Sequence, residues 1–122
     1  MNNSEKAEKL LKEIATLIKE QESKPAILDT DRMAQFAETY RLVLDFFEGT
    51  NAKIKYSLHK PFITTGSISV VADAVTIYDV DVFAKMVRFA NNVDFYARTD
   101  GRICMDLAFD GIAYHVEPKK DE

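Results

Sequence analysis

The chain has 122 residues, 47% of them hydrophobic and 30% charged, with a net charge of −4 and a pI near 5.2. That size suits one domain, which buries enough surface to need no metal or disulfide staple. No apolar run approaches the roughly 20 residues of a membrane helix, and an acidic balance is the wrong sign for a general nucleic-acid binder.

The lone Cys104 cannot form an internal disulfide. The start Met1-Asn2-Asn3-Ser4-Glu5-Lys6 lacks the basic residues and apolar stretch of a signal peptide. Both point to the cytoplasm. Charge is uneven along the chain: residues 1–51 are net −3, 52–102 net +2 and 103–122 net −3. Only the middle segment offers an anion a surplus of positive charge.

The first element is an amphipathic helix. Ala7, Leu10, Leu11, Ile14, Leu17 and Ile18 recur at three- and four-residue steps and share one face. Asn3 or Ser4 is the expected cap, and Pro25 stops the helix. A short link leads to a second helix capped by Asp29 or Thr30. Met33, Phe36, Ala37, Tyr40, Val43, Leu44 and Phe47 form its apolar stripe, which Leu42 and Phe46 widen. Gly49 suits a left-handed end. Residues 1–49 thus read as a helical hairpin.

From residue 52 the period becomes two. Ala52, Ile54, Tyr56 and Leu58 alternate with polar residues and mark a half-buried strand. Ser67–Ala72 and Val75–Tyr78 read as two more strands, and Asp79 or Asp81 caps a third helix through Val82, Phe83, Met86, Val87 and Ala90. Val93–Arg98, Arg102–Phe109 and Ile112–Val116 complete the strands, and residues 118–122 form a frayed tail. The expected order is α-α-β-β-β-α-β-β-β. It describes a single α+β domain in which the helical hairpin packs on an antiparallel sheet, residues 52–117, with one inserted helix.

Two Asp-Gly pairs suggest register. A three-residue loop Thr99-Asp100-Gly101, with Gly101 left-handed, sets Ala97 against Ile103, Phe95 against Met105 and Val93 against Leu107, so apolar meets apolar on every rung. A two-residue loop Asp110-Gly111 sets Phe109 against Ile112, Leu107 against Tyr114 and Asp106 against His115.

Four groups merit chemical scrutiny. Under the second register Asp106 and His115 become neighbours, with Cys104 on the same strand face, and a Cys-His-Asp trio can be drawn. A core cysteine beside a cross-strand Asp-His pair is the plainer reading, so no catalytic residue is assigned. Lys53, Lys55, His59 and Lys60 could bind an anion or a nucleic-acid backbone, joined by Arg98 and Arg102. Lysines guarding an edge strand explain them more simply. Thr64-Thr65-Gly66-Ser67 lacks the spacing of a phosphate loop and reads as a turn. Asp73, Asp79 and Asp81 lack the spacing of a calcium loop, and helix capping accounts for the last two. Nothing calls for a cofactor or a metal.

The widest feature is the apolar surface of the second helix at Leu42, Phe46 and Phe47. It suits a protein partner or a second copy of the chain. The expected function is therefore a non-catalytic binding or adaptor protein acting through protein–protein contact as a homodimer. A nucleic-acid regulator using the basic strand is the alternative, an enzyme at Cys104, Asp106 and His115 comes third, and no membrane role is expected.

Overall fold

The computed structural model describes residues 2–19, 26–59, 65–75 and 79–115. In chain order the elements are α1 (Asn3–Lys19), β1 (Ala26–Leu28), α2 (Thr30–Phe46), β2 (Lys53–Leu58), β3 (Thr65–Ala72), α3 (Val80–Val87), β4 (Asn92–Ala97), β5 (Ile103–Asp110) and β6 (Ala113–His115). The architecture is α+β, with two N-terminal helices and a later third helix on an antiparallel four-stranded sheet.

Polar side chains start each helix. Asn2 Oδ1 accepts from the Glu5 amide at 2.8 Å, so α1 is capped by Asn2 and not by Asn3 or Ser4. Asp29 caps α2 through the Arg32 amide at 3.0 Å. Asp79 caps α3 through the amides of Asp81 and Val82, at 2.9 and 3.3 Å. After α2 the backbone reverses at Gly49, where φ is +79°. Asn3 Nδ2, at the start of α1, donates to Asp45 near the end of α2, so the two helices run antiparallel.

The sheet order is β2-β3-β5-β4, which makes β2 and β4 its edges. Alternation along the strands sorts the residues onto two faces. Ile54, Tyr56, Ile68, Val70, Met105, Leu107 and Phe109 turn toward the helices and join Leu10, Ile14, Phe36 and Val43 in one core. The Phe36 and Phe109 rings meet edge-on at 5.0 Å, and those of Tyr40 and Tyr56 at 5.1 Å. These contacts lay α2 on the sheet. The opposite face carries Lys53, Lys55, Ser67, Ser69, Asp94, Tyr96, Cys104 and Asp106.

The first hairpin has the expected register: Ala97 pairs with Ile103, Phe95 with Met105 and Val93 with Leu107, and Gly101 has a φ of +84°. The second expected hairpin does not form. A strand has two hydrogen-bonding edges, and β3 and β4 occupy both edges of β5. At Gly111, with φ +75°, the chain leaves the main sheet. There β6 pairs with β1 in a separate two-stranded sheet that sets His115 against Ala26, Tyr114 against Ile27 and Ala113 against Leu28.

Two further expectations change, and a third falls mostly outside the described residues. Ala26–Leu28, read as part of a link, forms β1. Thr65-Gly66-Ser67, read as a turn, lies inside β3, while Thr64 falls outside the described residues. The strand expected at Val75–Tyr78 lies outside them except for Val75, which has no regular structure.

Candidate functional site

Most large apolar side chains are taken into the core, so those left outside it are informative. Among the described residues the large hydrophobic side chains left exposed are Val80 (72%), Val82 (49%), Phe95 (48%) and Tyr96 (50%). All four belong to α3 or β4. The two elements follow one another in the chain, and alternation along β4 puts Phe95 on the helix side of the sheet and Tyr96 on the far side. Phe83 of α3 is half-buried, and its ring centroid lies 6.2 Å from that of Phe95. The α3 helix therefore stands beside the helix-side surface of β4.

The same helix closes over α2. Phe46 contacts Phe83 edge-on at 6.3 Å and Phe47 at 4.9 Å. Met86 is buried in the core. Arg32, near the start of α2, fixes the chain between α3 and β4. Its guanidinium donates to the Phe89 carbonyl and to Asn91 Oδ1, and also to the Asp110 carbonyl at 2.9 Å and Gln35 Oε1 at 2.9 Å. Asn91 Oδ1 accepts the Asp110 amide as well, at 2.8 Å.

The expected partner surface on α2 is thus largely consumed inside the chain. Phe47 is only 6% exposed. Leu42 and Phe46 are half-buried against the core. The apolar stripe is broad because α2 serves three neighbours at once: α1, the sheet and α3.

On the far side of the sheet, β4 presents Asp94 and Tyr96 opposite Asp106 and Cys104. Asp106 accepts a hydrogen bond from Ser69 Oγ at 2.6 Å, and Asp94 accepts one from Asn92 Nδ2 at 2.8 Å. The two carboxylates share a rung, and among the described residues no Lys or Arg lies within 4.0 Å of either. The Cys104 thiol first, and then Asp106, push the Tyr96 hydroxyl up to about 12. The Cys104 side chain itself is buried.

The Cys-His-Asp trio is not assembled. Asp106 lies between Ser69 and Asp94, whereas the backbone of His115 lies in the β1–β6 ribbon. The basic group is divided too. Lys53, Lys55 and His59 are exposed along β2, and Lys60 lies outside the described residues. Arg98 follows β4 at the opposite edge, where it pairs with Asp100 at 3.4 Å. Arg102 is held by Asp73 at 3.2 Å. Lys53 and Lys55 do sit on a sheet edge, where lysines oppose strand addition. Asp79 and Asp81 are at a helix start, with Asp79 committed to capping.

A cleft of about 670 Å³ opens between the start of α1, the end of α2 and β2. Within it Arg41 pairs with Asp45 and, outside the lining, with Glu38, and Asn3 donates to Asp45. Among the described residues no group of three His, Cys, Asp or Glu side chains could hold a metal ion, and no helix is long and apolar enough to cross a membrane. No protein-family model, curated protein or solved structure matches the chain significantly.

Proposed function

We propose that this chain is a non-catalytic binding or adaptor protein that works through protein–protein contact at the α3–β4 edge, as a homodimer. One observation carries the reading. Among the described residues, the large hydrophobic side chains that folding leaves exposed collect on α3 and β4. Exposed apolar surface loses its contact with water when a partner covers it. The contrast between the two sheet edges supports the same reading. One is guarded by Lys53 and Lys55, while the other offers Phe95 and Tyr96. The single cysteine fits a reducing compartment such as the cytoplasm.

Light scattering after size exclusion tests the proposal on the full chain. The expected mass is twice the 13.9 kDa of the chain, and Phe95→Ser shifts it toward the monomer. A wild-type monomer at every concentration, or a dimer indifferent to Phe95→Ser, sinks it.

A further inference from the structure

We infer that the partner at this edge is a second copy of the chain, added antiparallel to β4 with the two-fold axis at Tyr96. This rests on the binding role proposed for the α3–β4 edge and specifies its geometry.

The backbone defines what the edge can accept. The Arg98 amide donates to the Arg102 carbonyl at 2.7 Å, which turns residue 98 toward the neighbouring strand. By alternation, residues 96, 94 and 92 turn their N–H and C=O groups the same way, into β5. Val93, Phe95 and Ala97 turn theirs outward, and among the described residues no strand lies on that side. A symmetric antiparallel partner must therefore pair odd-numbered residues with odd-numbered residues. That leaves a small set of axes, of which 94 and 95 flank the middle of β4 and 96 lies one residue from its end.

Charge selects among them. An axis at residue 94 sets Asp94 against Asp94 of the partner subunit, which is repulsive. An axis at residue 95 sets Asp94 against Tyr96 of the partner subunit and leaves the carboxylate without a cation. An axis at residue 96 sets Asp94 against Arg98 of the partner subunit, twice by symmetry, and Tyr96 against Tyr96 of the partner subunit. Phe95 then meets Ala97 of the partner subunit on the helix side. Within one chain Asp94 faces Asp106 on its rung, with no Lys or Arg among the described residues within 4.0 Å of either. The partner's Arg98 supplies the missing charge. Among the described residues Arg98 in turn has only the surface pair with Asp100 to exchange, at 3.4 Å, with both side chains nearly half exposed. The two four-stranded sheets become one of eight strands, with the lysine-bearing β2 strands at its outer ends.

The axis makes two measurable demands. Asp94→Arg and Arg98→Asp each place like charges across the interface and should weaken the dimer about tenfold. The double variant Asp94→Arg/Arg98→Asp restores opposite charges and should recover most of the affinity. Residues paired across the axis are a non-hydrogen-bonded pair with Cα atoms about 4.5 Å apart, within the range a disulfide spans. Tyr96→Cys in a Cys104→Ala background, which removes the intrachain neighbour, should therefore cross-link to a covalent dimer on mild oxidation. Phe95→Cys in the same background should not, with circular dichroism confirming that each variant folds. A wild-type monomer would remove the binding role and this geometry together. A wild-type dimer sensitive to Phe95→Ser, with no cross-link at position 96 and no recovery in the double variant, would overturn the two-fold at Tyr96 alone. A cross-link at position 95 instead would move the axis and overturn it equally.

Discussion

Gly66 of β3 lies directly beneath the ring of Phe36: a Cβ at that position would stand 2.9 Å from Phe36 Cζ and 3.0 Å from Ile112 Cδ1. Glycine normally weakens a strand, and here its absent side chain is what lets α2 and Ile112, just before β6, close onto the sheet. The glycine is used for space, since its φ is not positive.

Gly66→Ala should therefore destabilise the fold by about 1–3 kcal/mol through overpacking. Phe36→Leu also destabilises, because it removes the edge-on contact with Phe109. Combining the two should cost less than the sum, since the smaller side chain makes room for the methyl. Urea unfolding midpoints measure this directly. Strict additivity would mean that the close approach does not limit packing.

Arg32 is expected to matter more than its place on a helix surface suggests. It ties α2 to the α3–β4 junction and to the end of β5 through three acceptors, bonds Gln35 within α2 as well, and stands with its guanidinium 5.1 Å from the Phe109 ring centroid. Arg32→Ala should lower stability by about 2–3 kcal/mol. Arg32→Lys should recover only part, because one ammonium cannot reach acceptors spread around a planar fork. Full recovery by lysine would reduce the role of Arg32 to charge alone.

Two tyrosines should make the folded state sensitive to alkali. Burial first, and then a hydrogen bond to Glu13, raise the Tyr56 hydroxyl above the usual phenol range. Tyr96 is raised to about 12. In an unfolded chain both ionise near pH 10. Below that pH both states are protonated, and the contribution is fully present. Above it only the unfolded state ionises, so the contribution declines and is lost as pH rises through the folded values. Stability of the wild type relative to Tyr56→Phe/Tyr96→Phe should be constant up to about pH 10 and then fall. A difference that already changes with pH near neutrality would contradict the assignment.

Cys104 should behave as a core residue. Its side chain is buried between the rungs of β3 and β4. A thiol reagent should label it only as fast as the sheet opens, with rapid reaction in denaturant. Rapid labelling of the native protein would reopen a reactive role for the thiol.

Local pattern carried much of the fold. The 3.6-residue period of Leu10, Ile14, Phe36 and Val43 and the alternation of Ile54, Tyr56 and Leu58 reflect which side of each element is buried, and burial follows. The Thr99-Asp100-Gly101 hairpin was legible because a wrong register would mix apolar and polar faces. The Asp110-Gly111 turn deceived for a definable reason. Its apolar alternation satisfied the same test, but nothing in residues 103–116 reveals that β3 will occupy the other edge of β5. Gly66 deceived likewise, since a glycine beside threonines and a serine reads as a turn until Phe36 is seen to need the space.

The candidate site divides along the same line. Leu42, Phe46 and Phe47 stood out because hydrophobic width is visible locally, whereas the neighbour that covers it, Phe83, comes from a helix some 40 residues further along the chain. In sequence Val82 and Phe95 are members of an ordinary helix and strand. Which apolar residues remain exposed is a property of what packs over them, so sequence alone could rank them only by type.

Short-range periodicity and turn chemistry fix the α+β class, the helical hairpin, the first β-hairpin register and the lysine-guarded strand. Which strands share edges, and which apolar side chains remain outside the core, emerge only once the elements pack. Strand order and burial depend on contacts between residues far apart in the chain, and a sheet strand has just two edges for which every other strand competes. That competition dismantled the trio of Cys104, Asp106 and His115 and left β4, with Phe95 and Tyr96, at the open edge.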